Sequence, residues 1–243
     1  MAHPNRTEAT TMNDSSPVLV IGHIDEPSLE VVRRVAETHD ISLLVKRPLR
    51  GEALPPLDDV QGVVVLGGPQ SAYDERAHPY LAEEKAYIAS AHAAGVPTLG
   101  ICLGSHLAAE ALGGKAHAGE SGLEVGFIDV VAVDDAGEPL QGRFFSFHSD
   151  SMHVPPGATA LAVSDRYIQA WGLGSVLAIQ FHPDLDRDGI ETLLGLEGEK
   201  LASFGVDVDA LREELRVTDA APGERLIGEW VGSLCPGRVH VGC

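Results

Sequence analysis

A chain of 243 residues, 44% hydrophobic and 22% charged, has the composition of a globular protein and the length for one large α/β domain or two small ones. Its 36 acidic residues against 17 basic ones leave a formal net charge of −19, which argues against nucleic acid or an anionic membrane as partner. No apolar run is long enough to span a bilayer, and three cysteines are too few for a disulfide scaffold, so a reducing cytoplasm with Cys102 as a free thiol is the expected setting.

The chain starts with a polar stretch, 1–16, that lacks the apolar core of a signal peptide and reads as a disordered lead-in. Residues 17–22 form the first strand candidate. A helix is expected over 27–39, with Leu29, Val32 and Val35 on one face and Asp25 or Ser28 as its cap. Residues 41–45 read as a second strand and 48–56 as a loop. The continuous apolar run at 60–66 is what a parallel strand buried on both faces requires. Leu81, Ala82, Lys85, Ile88 and Ala89 keep a helical period through 79–94, and a strand at 96–99 leads into a turn and a helix at 105–112. Strands alternating with helices predict a mostly parallel sheet with helices on both faces. After Gly113-Gly114 the pattern turns alternating and β-branched: 123–133, 144–147, 158–163, 168–171 and 176–181 read as strands completing the sheet with a small antiparallel edge. From 189 to 234 the pattern is helical, with Pro222-Gly223 as a break. The absence of a linker favours a single domain over 17–243, of which 188–243 is a helical C-terminal extension.

Gly100-Ile101-Cys102-Leu103-Gly104 stands where a strand turns sharply into a helix. This is the pattern of a nucleophile elbow, with cysteine in place of serine. A helix N-terminus favours the thiolate, the reactive form. A buried structural cysteine between glycines fits the pentapeptide equally well. A thiol nucleophile needs a base, and His182 follows an apolar strand in Gln180-Phe181-His182-Pro183-Asp184, with Asp184 placed to accept from the far ring nitrogen. Gly67-Gly68-Pro69-Gln70-Ser71 follows another buried strand. The backbone N–H of Gly68, with that of Leu103, would make an oxyanion hole. A plain strand-to-loop turn is the alternative at both places.

In their order and separations these three motifs resemble the class I glutamine amidotransferase family of the triad type, and within it stand-alone proteins resembling the amidotransferase domain of GMP synthase. The likeness runs from about Val60 to Asp184 and takes in Ala111 to Lys115, His148-Ser149-Asp150 and Gln169-Ala170-Trp171. It implies a flavodoxin-like α/β fold. It also implies Cys102 as nucleophile, His182 as general base and acid, Asp184 as its orienter, and Gly68 and Leu103 as oxyanion donors. His106, Ser149 and Gln169 become substrate-binding candidates, with Gln169 equally readable as a strand residue packing on the sheet. The substrate would be glutamine or a γ-glutamyl amide, and the candidate partner a separate synthase chain that accepts ammonia. No cofactor is implied. His148, Asp150 and His153 have a loose metal-like spacing, but the resemblance puts the first two in a loop facing the site, and no metal is expected.

Two positions depart from the family pattern. Asp184 stands where the family usually has glutamate, and His106 where it usually has glutamine, four residues after the cysteine. Aspartate is one methylene shorter, and histidine offers a different hydrogen-bond pattern. Altered specificity and a neutral exchange both fit. Three activities therefore stand open: a glutaminase, a γ-glutamyl peptide or amide hydrolase, and an inactive regulatory subunit.

Overall fold

The computed structural model describes residues 16–25, 28–219 and 221–234. In chain order the elements are β1 (Val18–Ile21), α1 (Glu30–Thr38), β2 (Leu43–Lys46), β3 (Gly62–Val65), α2 (Tyr80–Ala93), β4 (Thr98–Ile101), α3 (Leu103–Ala111), β5 (Lys115–Ala118) and β6 (Glu124–Ala132). Then follow β7 (Gly142–His148), β8 (Asp150–His153), β9 (Thr159–Val163), β10 (Ile168–Leu173), β11 (Val176–Ile179), α4 (Arg187–Ser203), α5 (Val208–Val217) and α6 (Ala221–Ser233). The expected lead-in lies outside the described residues except for Ser16, whose carbonyl accepts from the Gln61 amide.

A nine-stranded sheet runs in the order β2-β1-β3-β4-β11-β10-β9-β6-β7. Its first five strands are parallel and its last four join antiparallel. The sheet is therefore mixed, and the antiparallel part is larger than the small edge the sequence suggests. The cause is β6, a long strand that pairs with β7 along most of its length and with β9 at Val131 and Ala132.

Successive side chains of a strand point to opposite faces, and the parallel strands show it. Val18, Val20 and Val64 pack with α1 and with Leu226, Ile227 and Trp230 of α6. Leu19, Ile21, Val63 and Val65 pack with α2 and with Leu103 and Leu107 of α3. A third cluster joins Phe145 of β7 to Ile190, Leu194 and Leu201 of α4 and Leu215 of α5. No helix among the described residues is long and apolar enough to cross a membrane.

Three local expectations need correction. Neither Asp25 nor Ser28 caps α1; Leu29 holds that position, and the Glu30 carboxylate accepts from the Leu29 N–H and the Ser28 hydroxyl. The C-terminal helices do not break at Pro222-Gly223, which lies in the first turn of α6, where a missing N–H costs nothing. The ribbon β5–β8 is absent from the sequence reading because Ala116, Ser151 and Met152 are its only buried side chains, too few to make an apolar pattern.

Candidate active site

β3, β4 and β11 are neighbours in the parallel part of the sheet, with Val65 beside Gly100 and Ile101 beside Ile179. Their carboxyl ends therefore open at one place. That is where parallel sheets present functional groups, because the loops diverge there. The chain leaving β3 carries Gly67 and Gly68, that leaving β4 carries Cys102, and that leaving β11 carries His182.

Cys102 has φ 52° and ψ −108°, a conformation outside the regions a side-chain-bearing residue favours. Its N–H donates to the Ile179 carbonyl at 2.8 Å, which pins the elbow to β11. The flanking glycines exist for space. A Cβ at Gly100 would lie 2.6 Å from the Gly104 carbonyl oxygen, and one at Gly104 would overlap the Val65 carbonyl oxygen. The first turn of α3 is thus folded back on β3 and β4. Cys102 is 7% exposed, and its Sγ lies 3.8 Å from the Phe147 carbonyl oxygen at the end of β7.

Gly67 leaves room for the thiol and the imidazole to meet. A Cβ there would sit 2.9 Å from His182 Cε1 and 3.4 Å from Cys102 Cβ. On its far side, His182 Nδ1 lies 3.1 Å from Asp184 Oδ1, with both side chains more than nine-tenths buried. The shorter aspartate reaches the imidazole directly. Burial works against charging His182, but the Asp184 carboxylate and the hydrogen bond with Cys102 outweigh it and raise its pKa to about 10.

Gly68 is packed against Leu103, the first residue of α3, whose N–H has no acceptor within the helix. A Cβ at Gly68 would lie 3.1 Å from Leu103 Cδ2 and 2.5 Å from His23 Cβ. Three side-chain hydrogen bonds hold the loop that follows Gly68. Gln70 donates to the His23 carbonyl at 2.9 Å, and Ser71 and Tyr73 donate to the Asp150 carboxylate at 2.5 and 3.2 Å.

His106 lies one turn into α3, 3% exposed, with Nε2 2.6 Å from Gln180 Oε1. Burial, stronger than the opposing bond to Gln180, lowers its pKa to about 4, so His106 is neutral at pH 7. Ser149 is the exposed residue joining β7 to β8. Gln169 has no exposed surface. Its amide donates to Glu124 Oε2 at 2.6 Å and Ser164 Oγ at 3.1 Å. Of the three substrate-binding candidates, then, Ser149 is exposed, while His106 and Gln169 are buried, His106 beside the elbow.

The side chains of the two histidines and the aspartate with the metal-like spacing do not converge on one point. His148 Nε2 is 3.0 Å from Glu124 Oε2, Asp150 accepts from Ser71 and Tyr73, and the His153 ring packs on that of His117. The sequence reading missed Glu124, the hub that gathers His148, Ser164 and Gln169 beneath the β7–β8 turn. It begins a strand as one acidic residue among many, and nothing in its neighbourhood marks it. Also missed is His23, whose Nε2 lies 2.8 Å from Glu84 Oε2 with both side chains fully buried next to Gly68.

A model of the family Glutamine amidotransferase class-I matches residues 29–189. The chain belongs to that family. One subunit of the glutamine-hydrolysing GMP synthase of Halobacterium salinarum is 35% identical over 149 residues, covering 56% of this chain and 74% of that protein. The glutamine amidotransferase-like protein YfeJ of Salmonella typhimurium is 34% identical over 182 residues, 69% of this chain and 75% of its own length. Against the glutamine-hydrolysing GMP synthase of Pyrobaculum aerophilum the identity is 30%, but the match takes in only 32% of that longer protein. The crystal structure of a glutamine amidotransferase from Thermotoga maritima superposes with a TM-score of 0.84 at 26% identity, covering 91% of this chain and 98% of that one. The class I amidotransferase fold expected from the motifs is thus the fold of this chain.

Proposed function

We propose that the protein is a cysteine-dependent hydrolase of the γ-amide of glutamine or of a related γ-glutamyl compound. The observation that carries this reading is the meeting of Cys102, on its strained elbow, with the His182–Asp184 pair on the neighbouring strand end. In the proposed reaction the Cys102 thiolate attacks the amide carbon. The resulting oxyanion accepts from the N–H groups of Gly68 and Leu103. The C–N bond breaks as the His182 imidazolium gives its proton to the leaving ammonia or amine. Neutral His182 then takes a proton from water, which attacks the γ-glutamyl thioester. The C–S bond breaks, and glutamate leaves. Asp184 holds the imidazole in place and supports its charged form throughout. Released ammonia passes to a separate synthase chain or to solution. A relative named as one subunit of GMP synthase supports the first of these.

A second reading, a hydrolase of γ-glutamyl amides that releases a larger amine, is favoured by His106. A neutral, buried imidazole held by Gln180 is a different neighbour for the substrate from a glutamine side chain. Steady-state glutamate release from glutamine and from a panel of γ-glutamyl amides separates the two. The first reading expects glutamine to have the highest kcat/KM. A panel member turned over more than about tenfold better, which is 1.4 kcal/mol of transition-state preference, transfers the assignment to the second.

A further inference from the structure

The family match ends at residue 189, yet the segment beyond it grips the turn that carries the proposed base. Three contacts converge on residues 183–187. Gly223, in the first turn of α6, lies against the backbone of Pro183: a Cβ there would sit 2.7 Å from the Pro183 carbonyl oxygen and 2.9 Å from its Cα. Arg34 of α1 reaches Asp186 and Glu224 of α6, each at 3.0 Å, and so straps α6 to the end of the turn. Arg187 donates to the Arg216 and Thr218 carbonyls at 2.8 and 3.3 Å, which ties in the end of α5. Asp186 also caps α4 by accepting from the Gly189 N–H at 3.0 Å. A cavity of about 10 Å³, room for a single water at most, lies where β7 meets this turn and the start of α6, with Phe144, Phe145, His182, Leu185, Asp219 and Gly223 in its wall.

We propose that α6, seated through Gly223 and held by Arg34, is a positioning element for the His182-Pro183-Asp184 turn. The inference rests on the reading of His182 as the proton-transfer group. The shorter Asp184 gives the contact its importance. Its carboxylate reaches His182 at 3.1 Å only with the backbone of the turn where it is. A displaced Pro183 lengthens that bond, and the imidazolium loses support.

The test compares Gly223→Ala with Gly228→Ala. Gly228 is in the same helix, and a Cβ there meets nothing within 4 Å. Gly223→Ala is expected to lower kcat for glutamate release about tenfold or more, with KM within about twofold, as small displacements of a reacting group do. Its His182 titration midpoint, followed by NMR of histidine-labelled protein, falls below the wild-type value, while Gly228→Ala matches wild type in both. If Gly223→Ala does not fold, Arg34→Gln serves instead. Its exposed strap gives a smaller change of the same kind, about two- to threefold in kcat with a lowered midpoint. A folded Gly223→Ala, or failing that Arg34→Gln, with wild-type kcat and midpoint overturns the proposal, even if its melting temperature drops. The titration also separates this inference from the assignment of function. Wild-type protein that releases no glutamate from any γ-glutamyl substrate contradicts the assignment, whereas an unmoved midpoint contradicts the positioning role.

Discussion

Cys102 and Asp40 are the two non-glycine residues with positive φ among the described residues, and Cys102 alone is enclosed by a histidine and a neighbouring strand end. Backbone strain of this kind costs on the order of 1–3 kcal/mol and persists only where the surroundings impose it. At Cys102 they do, through the N–H bond to Ile179 and the close seating of α3. The histidines near it are tuned in opposite directions. His182 is raised to about 10 against the effect of burial, and His106 is lowered to about 4 mainly by burial. The second shift has a measurable consequence. An unfolded histidine titrates near 6.5, so a folded value below it gives stability that is fully present above that pH and is lost as the pH falls through about 4. Urea unfolding at pH 7 and pH 4 should show wild type losing on the order of 3 kcal/mol more than His106→Gln over that interval. Equal losses in the two proteins would show that His106 is not held neutral by the fold.

The elbow is a joint between elements, and its spacing follows from packing. Gly104 is required because α3 lies directly on the Val65 carbonyl of β3, and Gly100 because the first turn of α3 comes back over β4. Gly104→Ala is expected to destabilise the protein by about 3 kcal/mol, the upper range for overpacking, since the obstructing atom is backbone and cannot rotate away. Gly198→Ala, in α4 and facing open space, is expected to stabilise by up to about 1 kcal/mol. Urea midpoints of the two variants check both signs, and a Gly104→Ala protein as stable as wild type would contradict the packing described for the elbow. The parallel strands were legible in the sequence because burial on both faces leaves unbroken apolar runs such as Val63-Val64-Val65. The β5–β8 ribbon was not, since it buries almost nothing and is held by its ladder. The same reasoning explains α1. No side chain caps its first turn, and the Glu30 carboxylate accepts from the Leu29 N–H instead, so the usual capping residues carry no signal there.

Across the whole molecule, the residues proposed to do chemistry stand out in the sequence more than the residues that hold them. Cys102, His182 and Gly68 each follow an apolar strand, and a parallel sheet brings such positions together from far apart in the chain. The supports are long-range and chemically ordinary. Glu124 gathers His148, Ser164 and Gln169; Asp150 anchors Ser71 and Tyr73; Arg34 joins Asp186 to Glu224. A single charged residue carries no local pattern, so these pairings emerge only with the fold. The same limit applies to Gln169, a substrate-binding candidate by the family resemblance, whose buried amide donates to Glu124 and Ser164. Reaction of the protein with an electrophilic glutamine analogue, followed by peptide mass mapping, tests the central claim most directly. The account predicts one adduct per chain, on Cys102, formed in competition with glutamine or a γ-glutamyl amide and lost in Cys102→Ala. Folded wild-type protein that carries no adduct at Cys102, or Cys102→Ala protein labelled to the same extent, would contradict it.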